Sequence, residues 1–204
     1  IIAQKLSEPT IGVRKAINRV LAYLVGTIDK KLTVQRVKGT RLDFYVDSDH
    51  AGGRKLGDTL SRTGIIFLCN GMPFHWRSTK QPETAMSSAA AEIVAMSESV
   101  KDMNLRLWIA EDIGVKVTYP TEVKVDNAAC ISFQRKMNPG TKLKGIFDLR
   151  SQWIKELQNK GKFKAVKVDT TKNLADELTK PLTGSIRKNL ETELSRIKQL
   201  VARG

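Results

Sequence analysis

Leu42-Asp43-Phe44-Tyr45-Val46-Asp47 sets Leu42, Phe44 and Val46 against Asp43, Tyr45 and Asp47. That period of two is the signature of a half-buried strand. Asp47 falls at its C-terminal end, just before the turn-like Ala51-Gly52-Gly53. Glu122-Val123-Lys124-Val125-Asp126-Asn127 repeats the alternation, and it too ends in an acid. Between the two, from Ser87 to Gly114, Ile93, Met96, Val100, Met103 and Leu107 recur at steps of three and four, as one face of a long helix would. A strand, a helical crossover and a second strand form a right-handed unit in which the strands run parallel. Both terminal acids then share the sheet edge at which open α/β sheets bind ligands.

Working outward, a helix is expected over 11–25 with Gly26 as its stop, and strand one over 41–48. Runs at 65–69 and 74–78 flank Asn70-Gly71, the strongest short hairpin signal, so strands two and three are antiparallel. Strand four covers 122–126 and strand five 163–168. Further helices are expected over 128–137, ended by Asn138-Pro139-Gly140, over 145–159, and over 184–201, where Ile186, Leu190, Leu194, Ile197 and Leu200 repeat.

Two more acids stand at element boundaries. Ser88 is a good N-cap for the long helix, which leaves Glu92 too late to be the reciprocal acid of a capping box. Asp176 lies in Thr170-Thr171-Lys172-Asn173-Leu174-Ala175-Asp176-Glu177-Leu178-Thr179-Lys180-Pro181, which reads as a short helix with the acid near its start. There it can serve a site, or only complement the helix dipole. Asp49 is the rival to Asp47, because strand alternation puts both on one face. Four carboxylates so placed are the oxygen-rich set that two divalent ions need to cut a phosphodiester bond.

Tyr45-Val46-Asp47-Ser48-Asp49-His50-Ala51-Gly52, Ser61-Arg62-Thr63-Gly64, Ser78-Thr79-Lys80-Gln81-Pro82, Ser87-Ser88-Ala89-Ala90-Ala91-Glu92-Ile93, Val125-Asp126-Asn127 and Leu174 to Pro181 resemble, in order, the blocks of the ribonuclease H domain that closes the polyprotein of copia-type retrotransposons. Upstream, Arg19 to Thr27 resembles the helix joining reverse transcriptase to that domain. The resemblance implies an α/β, ribonuclease-H-like fold: a five-stranded mixed sheet with strands 1–3 antiparallel, strands 4 and 5 parallel to strand 1, and helices on both faces. It makes Asp47, Glu92, Asp126 and Asp176 the catalytic and metal-binding acids, with two Mg²⁺ ions or Mn²⁺ in their place. The implied reaction is hydrolysis of the RNA strand of an RNA·DNA hybrid. Ser48, Ser88, Asn127, Lys142 and Lys144 become candidate nucleic-acid contacts, and the reverse transcriptase part of the same polyprotein a candidate partner. A second reading stays open at this stage, that of a domesticated module acting as a scaffold or nucleic-acid-binding component.

Three divisions follow: 1–40 as the connecting segment, 41–182 as the ribonuclease-H-like domain and 183–204 as a basic helix. Cys69 and Cys130, without metal-ligand spacing, point to core positions in a reducing, intracellular compartment, a cytoplasmic particle for an active element. His50 and His75 cannot support a zinc site, and no run of about 18 apolar residues offers a membrane span. The opening Ile1-Ile2-Ala3 reads as a processed or truncated product. With 35 Lys and Arg against 21 Asp and Glu the net charge is +14, a field that attracts phosphates of any sequence. Hybrid affinity is therefore expected to fall steeply between about 50 and 200 mM salt. A titration of binding against salt checks this, and a flat response would remove phosphate neutralisation as the source of affinity.

Overall fold

The computed structural model describes residues 10–29, 39–52, 59–127 and 146–180, with single positions at 2, 7, 131 and 192. The chain divides into two compact units, Ile1–Val34 and Gln35–Gly204. In the first, α1 spans Ile11–Gly26, and Thr10 caps it by accepting a hydrogen bond from the Val13 amide at 3.2 Å.

The second unit is built on β1 (Leu42–Asp49), β2 (Arg62–Cys69), β3 (Met72–Lys80), β4 (Thr121–Val125) and β5 (Phe163–Lys167), in the order β3-β2-β1-β4-β5. β1 to β3 are antiparallel neighbours, while β4 runs parallel to β1 and β5 parallel to β4. The β2–β3 turn has positive φ at both Asn70 and Gly71, the backbone that Asn-Gly adopts with little strain. The helices α2 (Ser88–Asp112) and α3 (Ile146–Asn159) belong to one side of the sheet. Phe44, Val46, Ile65, Phe67, Val123 and Val125 meet Ile93, Met96, Val100, Met103, Leu107 and Ile154 there in one buried cluster. Each such side chain contributes about 1.5–3 kcal/mol when taken out of water.

The strand expected to be half-buried is buried on both faces, because β1 is central and its second face is also covered. Tyr45 and Leu68 pack there against Leu174 and Ala175, which belong to a 3-10 turn at Leu174–Leu178. This segment was expected as an ordinary short helix. Asn173 fixes it instead, accepting from the Ala175 amide at 3.2 Å and donating to the Val46 carbonyl at 3.1 Å. The buried acid of β1 farther from the edge, Asp43, is neutralised by Arg41 at 2.9 Å and Lys124 at 2.5 Å.

Other expectations shift slightly. Ser87 rather than Ser88 caps α2, since its extended backbone lets Oγ accept from the Ala90 amide at 3.1 Å. Cys69 is half-buried rather than a core residue, as it ends β2 at the hairpin. Cys130 and, but for single positions, the helices expected over 128–137 and 184–201 lie outside the described residues.

Gly64 is paired with Asp47 and lies under the 3-10 turn. A Cβ at this position would stand 2.6 Å from Thr179 Cγ2, 2.8 Å from the Ala175 carbonyl oxygen and 3.0 Å from Leu178 Cβ. Gly64→Ala is therefore expected to destabilise the fold by about 1–3 kcal/mol, as overpacking does. Urea unfolding checks it; an unchanged midpoint would mean the turn moves freely.

Candidate active site

The four acids singled out by the sequence come from four elements. Asp47 sits near the C-terminal end of β1, Asp126 just past β4, and Glu92 on the second turn of α2. Asp176 lies in the 3-10 turn. Parallel pairing of β1 with β4 brings the first two to one edge of the sheet. Glu92 reaches that edge because the start of α2 is held to the sheet. The buried Gln81 donates from Nε2 to the Ala91 carbonyl at 2.8 Å and to Thr63 Oγ1 at 3.1 Å, and the small Ala89, Ala90 and Ala91 allow the approach.

Asp47, Glu92 and Asp126 each offer a carboxylate oxygen within 4.8 Å of the others. The group takes in Asp47 and not its rival Asp49. Asp176 is tied to it through Lys180, whose ammonium lies 3.2 Å from Asp176 Oδ1 and 3.7 Å from Asp47 Oδ2. Thr179 adds a hydrogen bond from its hydroxyl to Asp47 Oδ2.

Crowding these charges in a buried place has an electrostatic cost. Burial first, then the charges of Asp47 and Asp126, push Glu92 up to about 9, with Lys180 opposing. Burial and Asp47 push Asp176 up to about 6. The same two causes raise Asp126, while a hydrogen bond from the Thr170 side chain acts the other way. A carboxyl that holds its proton well above neutrality marks a site with too little positive charge for its acids. An all-oxygen donor set of this kind fits a hard divalent cation.

Asp47, Glu92 and Asp126 line a cleft of about 370 Å³ with Ser48, Asn127, Lys167 and Lys180, and Asp176 is not among its lining residues. Ser48 and Asn127 thus lie on the cleft wall beside Asp47 and Asp126. Ser88, the first residue of α2, is exposed and is not among the cleft's lining residues. Lys142 and Lys144 lie outside the described residues. Thr179, Lys180, Asn173 and Gln81 were not singled out from the sequence. The step of four from Asp176 to Lys180 could have flagged that pair; the reach of Thr179 and Lys180 to Asp47 is purely tertiary.

No family model matches the chain. It is 27% identical over 97% of its length to a retrovirus-related Pol polyprotein from transposon RE2 of Arabidopsis thaliana. It is 29% identical over 88% to one from transposon TNT 1-94 of Nicotiana tabacum, and 27% over 89% to the Ty1-JR1 Gag-Pol polyprotein of Saccharomyces cerevisiae. The chain spans only 13%, 13% and 10% of these relatives' lengths. These similarities agree with the retrotransposon resemblance of the motif blocks. Among solved structures, LC11-RNase H1 in complex with an RNA/DNA hybrid superposes with a TM-score of 0.50 at 19% identity, over 68% of this chain and 94% of that one. A second structure of LC11-RNase H1 gives 0.50 at 17%, over 76% and 98%. The fold is that of ribonuclease H.

A raised acid makes the metal-free protein pH-sensitive in a defined sense. Glu92 in the unfolded chain ionises near its ordinary value of 4.5, while the folded chain keeps the proton to about 9. Its contribution to stability is full below the first value and is lost as pH rises toward the second. In chelator, the melting temperature of Glu92→Gln relative to the unaltered chain is expected to climb from pH 5 to pH 9. Parallel curves across that range would contradict the charge crowding.

Proposed function

We propose that the chain is the ribonuclease H portion of a longer retrotransposon polyprotein and hydrolyses the RNA strand of RNA·DNA hybrids. The carrying observation is the meeting of Asp47, Glu92 and Asp126 within 4.8 Å at one edge of a ribonuclease H sheet, with Asp176 joined to Asp47 through Lys180.

In this reading Asp47 faces both halves of the site, Glu92 and Asp126 complete one, and Asp176 the other. Two Mg²⁺ ions, or Mn²⁺, would supply an activated water and stabilise the leaving 3′ oxygen of an in-line displacement. The protein's share is to hold its carboxylates in place before the ions arrive. Thr179 orients Asp47 by hydrogen bonding, Asn173 anchors the turn that carries Asp176, and Gln81 fixes the helix that carries Glu92. Ser48 and Asn127, polar and on the cleft wall, suit contacts to a 2′-hydroxyl or phosphate, the groups by which RNA in a hybrid is told from DNA. Ser88, Lys142 and Lys144 remain candidate contacts. The LC11-RNase H1 complex with an RNA/DNA hybrid supports the choice of substrate, and the Pol relatives support the setting of reverse transcription.

Purified chain with Mg²⁺ is expected to cut the RNA of a hybrid and to spare the DNA strand, single-stranded RNA and duplex DNA. Asp47→Asn and Asp126→Asn should each abolish cleavage while the metal-free melting temperature holds or rises, because a like-charge neighbour is removed. Marked destabilisation with cleavage retained would defeat the metal assignment. Hybrid binding with no cleavage under any metal would favour a scaffold.

A further inference from the structure

The four acids are not equivalent before any ion arrives. Asp47, Glu92 and Asp126 form a mutually close group, while Asp176 stands outside it with a lysine already against its carboxylate. That lysine also reaches Asp47 Oδ2, the oxygen to which Thr179 donates. We propose that Lys180 is the resident counter-cation of the Asp47–Asp176 half of the site, and that a second divalent ion enters there only by displacing its ammonium. The inference rests on the two-metal reading above.

A plain alternative is a helix-surface pair between residues four apart, which contributes little. Three features separate Lys180 from that case. Its partners Asp47 and Asp176 are buried, with side chains 2% and 5% exposed. One of them is distant in sequence, so the contact is set by the fold and not by helix spacing. The ammonium also lies in the cleft, where Lys180 is a lining residue.

Displacement follows from the size of the contacts. A hard divalent ion binds carboxylate oxygens directly, at about 2.1 Å for Mg²⁺. An ammonium held 3.2 Å from Asp176 Oδ1 would then stand beside the ion as an unscreened like charge. Lysine can leave, because its charge sits on a flexible four-carbon stem and its side chain is 36% exposed. Its backbone does not move with it: the Lys180 amide donates to the Asp176 carbonyl at 3.3 Å, so the ammonium stays tethered at the cleft. At the Asp47, Glu92 and Asp126 group, which would hold the first ion, the ammonium competes less, standing 3.7 Å from Asp47 Oδ2 against 3.2 Å from Asp176 Oδ1. Metal loading would therefore be stepwise, and the second step would be weak until nucleic acid offers the ammonium a phosphate.

Mn²⁺ is the probe, counted in the full chain without nucleic acid by loss of the free-ion electron paramagnetic resonance signal. The unaltered chain is expected to take up one ion and then a second, more weakly. Lys180→Met should tighten the second step about ten-fold, equal to about 1.4 kcal/mol, and move the first much less. Lys180→Gln, with a different shape but the same loss of charge, should do the same, and Lys180→Arg should keep the second step weak. Equal second-step affinity in the unaltered chain and in both neutral variants would overturn the proposal, while Asp47→Asn abolishing uptake would leave the metal reading standing. No Mn²⁺ uptake by the unaltered chain would overturn both.

Discussion

A carboxylate buried at the edge of a strand that is itself covered on both faces is the constraint from which the rest of this site follows. β1 turns Phe44 and Val46 into the core beneath α2, and Asp43, Tyr45 and Asp47 to the opposite face, where Tyr45 packs against the 3-10 turn. A buried acid must find a cation, a donor or a proton. Asp43 finds Arg41 and Lys124, which makes it a structural ion pair. Asp47, on the same strand and the same face, finds Thr179 and a share of Lys180, but also other acids. The difference between the paired Asp43 and the crowded Asp47 lies in what the neighbouring elements bring, and not in the strand.

The turn that brings those neighbours can approach because of what is missing at Gly64. With no Cβ, that residue leaves room for Ala175, Leu178 and Thr179 over β2. Ser78 on β3 adds a hydrogen bond from its hydroxyl to the Leu178 carbonyl at 2.5 Å. Asn173, fully buried, ties the other end to β1. The turn is thus fixed at both ends by side chain to backbone bonds rather than by its own helical ladder. A segment of five residues has too few internal hydrogen bonds to hold Asp176 in place unaided.

Charge at two scales serves the same chemistry. The chain as a whole carries +14 and draws in phosphate regardless of sequence. The cleft itself is crowded with negative charge, enough to hold a proton on Glu92, and its carboxylate oxygens suit a small, hard cation. In the proposed function, the basic surface would bind the polyanion and the acidic cleft would receive the reacting phosphodiester at a site that metal completes.

The sequence by itself determined most of the elements and which acids stand at their ends. Periodicity is local, and the alternation of Leu42 to Asp47, the three-and-four steps from Ile93 to Leu107 and the Asn70-Gly71 turn each survive unchanged in the structure. The strand–helix–strand order then placed Asp47 and Asp126 on one edge through the handedness of the crossover. Less was legible where a property depends on what lies opposite. Burial of β1 on its second face, the cap at Ser87 instead of Ser88, and the 3-10 form of the Asp176 segment were decided by neighbours far away in the chain. So were the parts played by Gly64, Gln81, Asn173, Thr179 and Lys180, whose contacts with the site span separations that no local pattern encodes. A side chain's chemistry is written at its own position, but its charge state and its partners are set by the groups that packing puts within a few ångströms.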